Sequence, residues 1–242
     1  MRLRCEYKTD KIPVAYQMMF VSLIKEALRA SDQDYYEKLY KYKHVSNKQS
    51  KNFTFAVYVK DYDIAGEVFY IKDKVVFNIS SPDLEFIIKL YNGLLKVKRF
   101  EYKEYLLNRI RIDLVREKEI TSSEVVFKTL SPICIKSKNN KYLRLEDKFY
   151  VDELNYIADI ALCNYRGQGL RKKLRFVPIN MRKTVVKEEI RDYEINTGNK
   201  YIFVHAYTGI FKLIGDVEDL KDLYALGISF MRNQGFGMVE VV

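Results

Sequence analysis

The order strand, helix, strand, strand, helix, strand can be read twice along this 242-residue chain. That repeat predicts an α+β protein of two tandem ferredoxin-like (RRM-like, βαββαβ) domains. Two further observations support it. Each half offers two helical stripes between β-branched and aromatic runs, and no long linker interrupts the chain. A short polar stretch, Glu117–Ser123, separates the halves, which gives domains over 1–120 and 121–242 with their sheets side by side and a fixed cleft between them.

Taken in order, RLRCEYK over 2–8 alternates as a strand. Pro13 suits the first position of a helix to about Arg29, with Val14, Met18, Val21, Ile24 and Leu28 as its buried stripe. Residues 31–51 are polar and rich in Tyr and Lys, which predicts a frayed helix and then a loop. Phe53–Val59 reads as a strand, and Val68–Ile71 with Val75–Ile79 as a hairpin across Lys72–Lys74. Pro82 begins a second helix with Leu84, Ile87, Ile88, Tyr91 and Leu95 inward, and a strand near Ile110–Val115 completes the half. In the second half, Val125–Ile135 is expected as a strand. Leu154, Ile157, Ala158 and Ala161 mark a helix capped by Asp152, and strands follow at about 174–186 and 201–214.

The last stretch, 209–242, reads as a strand over Ile210–Ile214, a helix over Val217–Leu226 and a final strand over Met238–Val242. Asp216 is its N-cap, and Leu220, Leu223 and Tyr224 share one face. Gly227 stops that helix. Between it and Gly235 and Gly237 lie Ser229, Arg232, Asn233 and Gln234. Glycine lets another chain approach the backbone, and exposed N–H groups with one Arg suit a phosphate.

Composition points the same way. A hydrophobic content of 48% is ample for real cores. No apolar run approaches the roughly 20 residues of a membrane span, and the charged start MRLRCEYKTD does not read as a signal peptide. Three cysteines (Cys5, Cys134, Cys163) without a CxxC pair, and only two histidines, argue against zinc. A reduced, cytoplasmic, metal-free protein without cofactor is expected. The net charge of +10 and 20 tyrosines suit a polyanion with unstacked bases. The cations cluster: 38–60 contains six lysines and no acid, and 160–187 contains eight Lys or Arg and no acid. Arg166, Arg171, Lys172, Lys173 and Arg175 in the second run flank Gly167 and Gly169, which predicts contacts to an RNA backbone. A nucleotide-binding P-loop is excluded, because GxxxxGK[ST] is absent and Gly235-Phe-Gly237 precedes a strand.

The C-terminal pattern GxFxLxGD, a helix, then LG-x-S-x-x-RNQGFGMVE resembles the glycine-rich signature of the RAMP superfamily, and within it the CRISPR-associated endoribonucleases that process repeat RNA. FKTLSPICI at 127–135 is similar to the strand that opens that family's second domain. The N-terminal helix, basic segment with one histidine and FTF strand form a third match. Ser229 departs from the pattern, standing where the family usually has glycine.

The resemblance implies a metal-independent endoribonuclease cutting CRISPR precursor RNA within repeats, leaving a 2′,3′-cyclic phosphate and a 5′-hydroxyl. The alternative is a non-catalytic RAMP subunit that only binds RNA in an effector complex. Implied partners are CRISPR repeat RNA and other effector subunits, with a homodimer left open and no membrane.

Such chemistry needs a base for the 2′-hydroxyl, an acid for the 5′-oxygen and cations at the phosphorane. His44, in the polar cationic run 40–51, matches the family's catalytic histidine in position. His205 alternates with Tyr201, Phe203 and Tyr207 and is expected on a sheet face or in contact with RNA there. The family's helping tyrosine and lysine carry over only by type, onto Tyr36 or Tyr40 and onto Lys48 or Lys51. RNA contacts are expected from the second basic cluster and from Arg232, Gly227, Gly235 and Gly237.

Overall fold

A computed structural model describes residues 1–42, 45, 46 and 50–242. Strand β1 (Arg2–Lys8) alternates as its sequence predicts and buries Leu3, Cys5 and Tyr7 on one face. Pro13 does not open a helix: it ends the edge strand β2 (Lys11–Pro13), paired to Val68, and Val14 N–H donates to Glu67 O at 2.8 Å. An edge strand tolerates a residue with no N–H to give. Helix α1 (Gln17–Ser31) therefore begins later and buries Met19, Phe20, Val21, Leu23, Ile24, Ala27 and Leu28.

Helix α2 (Gln33–Tyr40) is regular, where fraying was expected, because the Asp32 side chain caps it by accepting from Tyr35 N–H at 2.9 Å. A two-residue ladder, β3 (Lys41–Tyr42) with β4 (Val45–Ser46), leads to β5 (Thr54–Val59). Next come β6 (Tyr62–Ala65), β7 (Val68–Ile71) and β8 (Val75–Ser80). The expected hairpin between the last two does not form. Instead β7 lies between β2 and β6, and β8 lies between β1 and β5. Helix α3 (Leu84–Lys96) faces the core with Phe86, Ile87, Leu90 and Leu94, leaving the expected inward residues Leu84, Ile88 and Leu95 exposed. Strands β9 (Arg99–Tyr102) and β10 (Tyr105–Val115) complete the half.

In the C-terminal half β11 (Glu124–Thr129) is shorter than expected. The chain leaves the sheet at Ser131 and Pro132, after which Ile133 makes only an isolated bridge to Tyr207. Helix α4 (Tyr150–Arg166) starts before Asp152, which sits in its first turn rather than at its cap. Strand β12 (Arg175–Glu188) and β13 (Ile202–Ile214) form a long hairpin, joined through a helix absent from the sequence reading, α5 (Arg191–Thr197). Helix α6 (Val217–Leu226) carries the expected Asp216 cap, which accepts from the N–H groups of Glu218 and Asp219, and β14 (Val239–Val241) ends the fold.

The sheets run β5-β8-β1-β10-β9 and β12-β13-β11-β14. Numbering the four framework strands of each half in chain order gives 2-3-1-4 in both, so the halves are two tandem ferredoxin-like units. One core lies under α1 and α3, from Leu3 to Leu107, and a second lies under α4 and α6, from Ile120 to Val239. Arg2 ties the halves together. Its guanidinium donates to Glu240 Oε2 at 2.8 Å and to the carbonyls of Val239 and Tyr224, and it stacks 3.9 Å from the Tyr224 ring centroid. Among the described residues, no helix is long and apolar enough to cross a membrane.

Candidate functional site

The Asp32 cap that starts α2 is itself held by Lys89 of α3, so α2 is pinned from two sides. Tyr36 and Tyr40, one turn apart on α2, bring their rings within 5.3 Å. Arg29 of α1 donates to the Tyr36 hydroxyl at 3.0 Å, with its guanidinium 4.6 Å from the Tyr36 ring centroid. The ammonium groups of Lys25 and Lys51 lie 5.1 Å and 5.5 Å from the Tyr40 ring centroid. Aromatic faces attract cations in this way.

Lys51 is only 5% exposed, and burial, followed by the charge of Lys25, lowers its pKa. The Tyr40 hydroxyl is buried without a hydrogen-bond partner among the described residues, and burial raises its pKa. Of the predicted catalytic residues, the structure thus gathers Tyr36 and Lys51. His44 and Lys48 lie outside the described residues. Lys25 and Arg29 were missed by the sequence reading, although their i, i+4 spacing beside the buried stripe of α1 places both on the face toward α2.

The glycine-bounded loop is not the open one expected. Gly227, Gly235 and Gly237 are buried. A Cβ on Gly227 would stand 2.6 Å from Thr54 Cβ, and one on Gly235 would stand 2.8 Å from the Phe55 ring, so these glycines admit β5 of the other half. Thr54 Oγ1 donates to Phe236 O across the same contact at 2.8 Å. Ser229, the departure from the family pattern, is also buried. Its hydroxyl donates to Cys134 O and accepts from Cys134 N–H, both at 3.0 Å, and a Cβ on Gly237 would strike it.

Arg232, expected at RNA, is 2% exposed and donates to Leu226 O at 3.1 Å and to Ser50 Oγ at 3.0 Å. Burial pushes its pKa down to about 10. It anchors the residue that precedes Lys51.

The second basic cluster is also changed by folding. Arg166 is paired with Asp219 at 2.5 Å and Asp222 at 2.6 Å, and Arg171 donates to Asp219 at 3.0 Å. Acids balance these two arginines after all, supplied by α6. Lys172, Lys173 and Arg175 are exposed. His205 is exposed on β13, opposite Val185 of β12 and beside the exposed Phe203.

One buried acid was not singled out from the sequence. Glu188, at the end of β12, is wholly buried, and neither carboxylate oxygen has a hydrogen-bond partner among the described residues. Burial pushes its pKa up to about 8.

Two ferredoxin-like units are thus joined through a buried C-terminal glycine segment, with a tyrosine–lysine cluster on the first. Residues 115–241, more than half of the chain, match the family described as CRISPR associated protein Cas6, C-terminal, and the chain belongs to that family. A relative from Methanocaldococcus jannaschii, CRISPR-associated endoribonuclease Cas6 1, is 25% identical over 99% of this chain and 92% of its own length. Among solved structures, one described as an RAMP protein binding different RNA substrates superposes with a TM-score of 0.80 at 21% identity, covering 100% of this chain and 99% of the other. A Cas6-related protein from Pyrococcus furiosus superposes with a TM-score of 0.79 at 22% identity and the same coverage.

Proposed function

We propose that the protein is an endoribonuclease that cuts CRISPR precursor RNA within its repeats without a metal ion. The observation that carries this reading is the Lys51–Tyr40–Lys25 cluster at the exit of α2, next in sequence to His44, in a chain that belongs to the Cas6 family. The M. jannaschii relative is named as an endoribonuclease. Neutral His44 accepts the proton of a 2′-hydroxyl, and the 2′-oxygen attacks the adjacent phosphorus. The bond from phosphorus to the 5′-oxygen breaks and that oxygen takes up a proton, leaving a 2′,3′-cyclic phosphate and a 5′-hydroxyl. Lys51, with Lys48 as a second cation, holds the charge that grows on the phosphorane oxygens. Tyr36, oriented by Arg29, positions the nucleotide. In this division of labour residues 1–120 carry the chemistry, while Lys172, Lys173 and Arg175 of residues 121–242 hold phosphates, in a protein that works in the cytoplasm.

The test is single-turnover cleavage of the repeat RNA from the protein's own genome in EDTA. Specific cutting with a cyclic phosphate at the new 3′ end is expected, and His44→Ala should slow it about 10²–10⁴-fold with affinity nearly unchanged. His205→Ala should act far more weakly. Tight binding without cleavage would leave a non-catalytic RNA-binding subunit.

A further inference from the structure

Beside Lys51, between α2, the N-terminal end of α3 and residues 50–53, lies a cavity of about 240 Å³. Drug-sized ligands occupy roughly 300–1,000 Å³, so this space suits one planar ring system rather than a whole nucleotide. Its aromatic floor is rigid: Phe53 and Phe86 are stacked at 4.7 Å with 6° between their planes, and both are buried. Tyr35 forms a wall, with Lys89 4.9 Å from its ring centroid. The polar lining is rich in acceptors. Asp83 spends one oxygen on the Phe86 N–H at 3.1 Å, which leaves the other. Asn52 is fixed through its carbonyl, which accepts from Ser81 Oγ. Its side-chain Oδ1 is buried with no hydrogen-bond partner among the described residues, a costly state for a buried acceptor. Asn52 is itself among the residues that line the cavity. Lys38 and Lys51 supply cations to the same lining.

We propose that this cavity is a nucleobase pocket, which takes a base flanking the cut and prefers one bearing an exocyclic amine. The inference rests on the endoribonuclease reading, because Lys51 belongs both to the cavity and to the cluster assigned to the phosphorane. A base splayed from single-stranded RNA lies on aromatic side chains and offers its edge to polar groups. Asn pairs with the amine of adenine, and carboxylates accept from the amine of cytosine. Uracil carries a carbonyl at the corresponding position: its oxygen would face the remaining Asp83 oxygen acceptor to acceptor and would leave Asn52 Oδ1 without a donor. A phosphate is disfavoured inside for the same reason, whereas Lys38 and Lys51 suit the backbone that the base hangs from.

The experiment takes the repeat RNA with the nucleotides on both sides of the mapped cut randomised, and sequences the cleaved and the bound fractions. The wild type should disfavour uracil about tenfold at one flanking position. Asn52→Ala should erase that bias at that position alone, Asn52→Asp, which keeps an acceptor, should retain it, and Leu39→Trp, which fills the cavity, should weaken binding of all four variants. Equal use of the four bases, or a bias that survives Asn52→Ala, overturns the proposal. If nothing is cleaved, the endoribonuclease reading fails, and a library randomised across the whole repeat and sorted by binding alone decides the pocket by the same comparison of wild type with Asn52→Ala. Melting temperatures of the variants establish that each is folded.

Discussion

Two carboxylates of the C-terminal half are equally withdrawn from water and meet opposite fates. Asp219, on α6, and Glu188, at the end of β12, are both 0% exposed. Burial alone would raise the Asp219 pKa, but hydrogen bonds from the Arg166 side chain and from the Arg171 backbone and side chain outweigh it, and the net shift is downward. Glu188 has no such donors among the described residues, and burial carries its pKa to about 8. Exclusion from water does not set the charge of a buried acid; the neighbouring donors do. The run 160–187 reads as acid-free in sequence, yet Arg166 and Arg171 meet acids of α6 in space and Lys187 meets Glu67.

The largest effect expected from this contrast lies at Glu188. Its folded pKa is raised above the ordinary 4.5, so the native state binds more protons between about pH 4.5 and 8. Stability should therefore fall as pH rises through that window, by up to roughly 1.4 kcal/mol per pH unit, and level off above it. Glu188→Gln should flatten that slope in urea melts taken from pH 5 to 9; an unchanged slope would show that Glu188 is solvated or paired in solution.

Asp219→Asn should be next, costing roughly 3 kcal/mol or more, because two arginines lose a buried counter-charge. Its linkage has the reverse sign. A depressed folded pKa adds stability above the unfolded value, and that stability is lost as pH falls through the folded value, so the penalty of Asp219→Asn should shrink in acid. A penalty that stays constant into acid would remove the charge from the explanation.

The smallest effect concerns RNA. Replacing Arg171, Lys172 and Lys173 together should reduce the salt dependence of binding by about the two lysines, roughly 0.7 per phosphate contact for a single strand. Arg171 already has its partner in Asp219. A reduction worth three contacts would mean that RNA draws Arg171 away from α6.

Much of the fold was legible because its signals are local. The βαββαβ order, the Asp216 cap and the α6 face follow from periodicity and residue type within a few positions. What failed depends on distant partners. The Val68–Ile71 strand pairs with β6 just before it and with the distant β2 rather than with β8 just after it, and α3 turns Leu84, Ile88 and Leu95 outward because Phe86, Leu90 and Leu94 face the core. At the candidate site, Tyr36 and Lys51, singled out by residue type and position, lie together around Tyr40. The burial of Arg232, Gly227 and Gly235 was not legible because Ser50, Thr54 and Phe55, which they pack against, are some 180 residues away in the chain.

The clasp between Arg2 and Glu240 joins residues 238 positions apart. During synthesis, residues 1–115 can form their own sheet while Arg2 remains without the partners that the last strand brings. The junction of the two halves is then closed by a contact of very long range, which adds to the slow, non-local part of folding. The groups assigned to chemistry stand on the first half, whereas Ser50, beside Lys51, gains its Arg232 anchor only once the second half has docked. Maturation of the site is thereby coupled to docking of the C-terminal half.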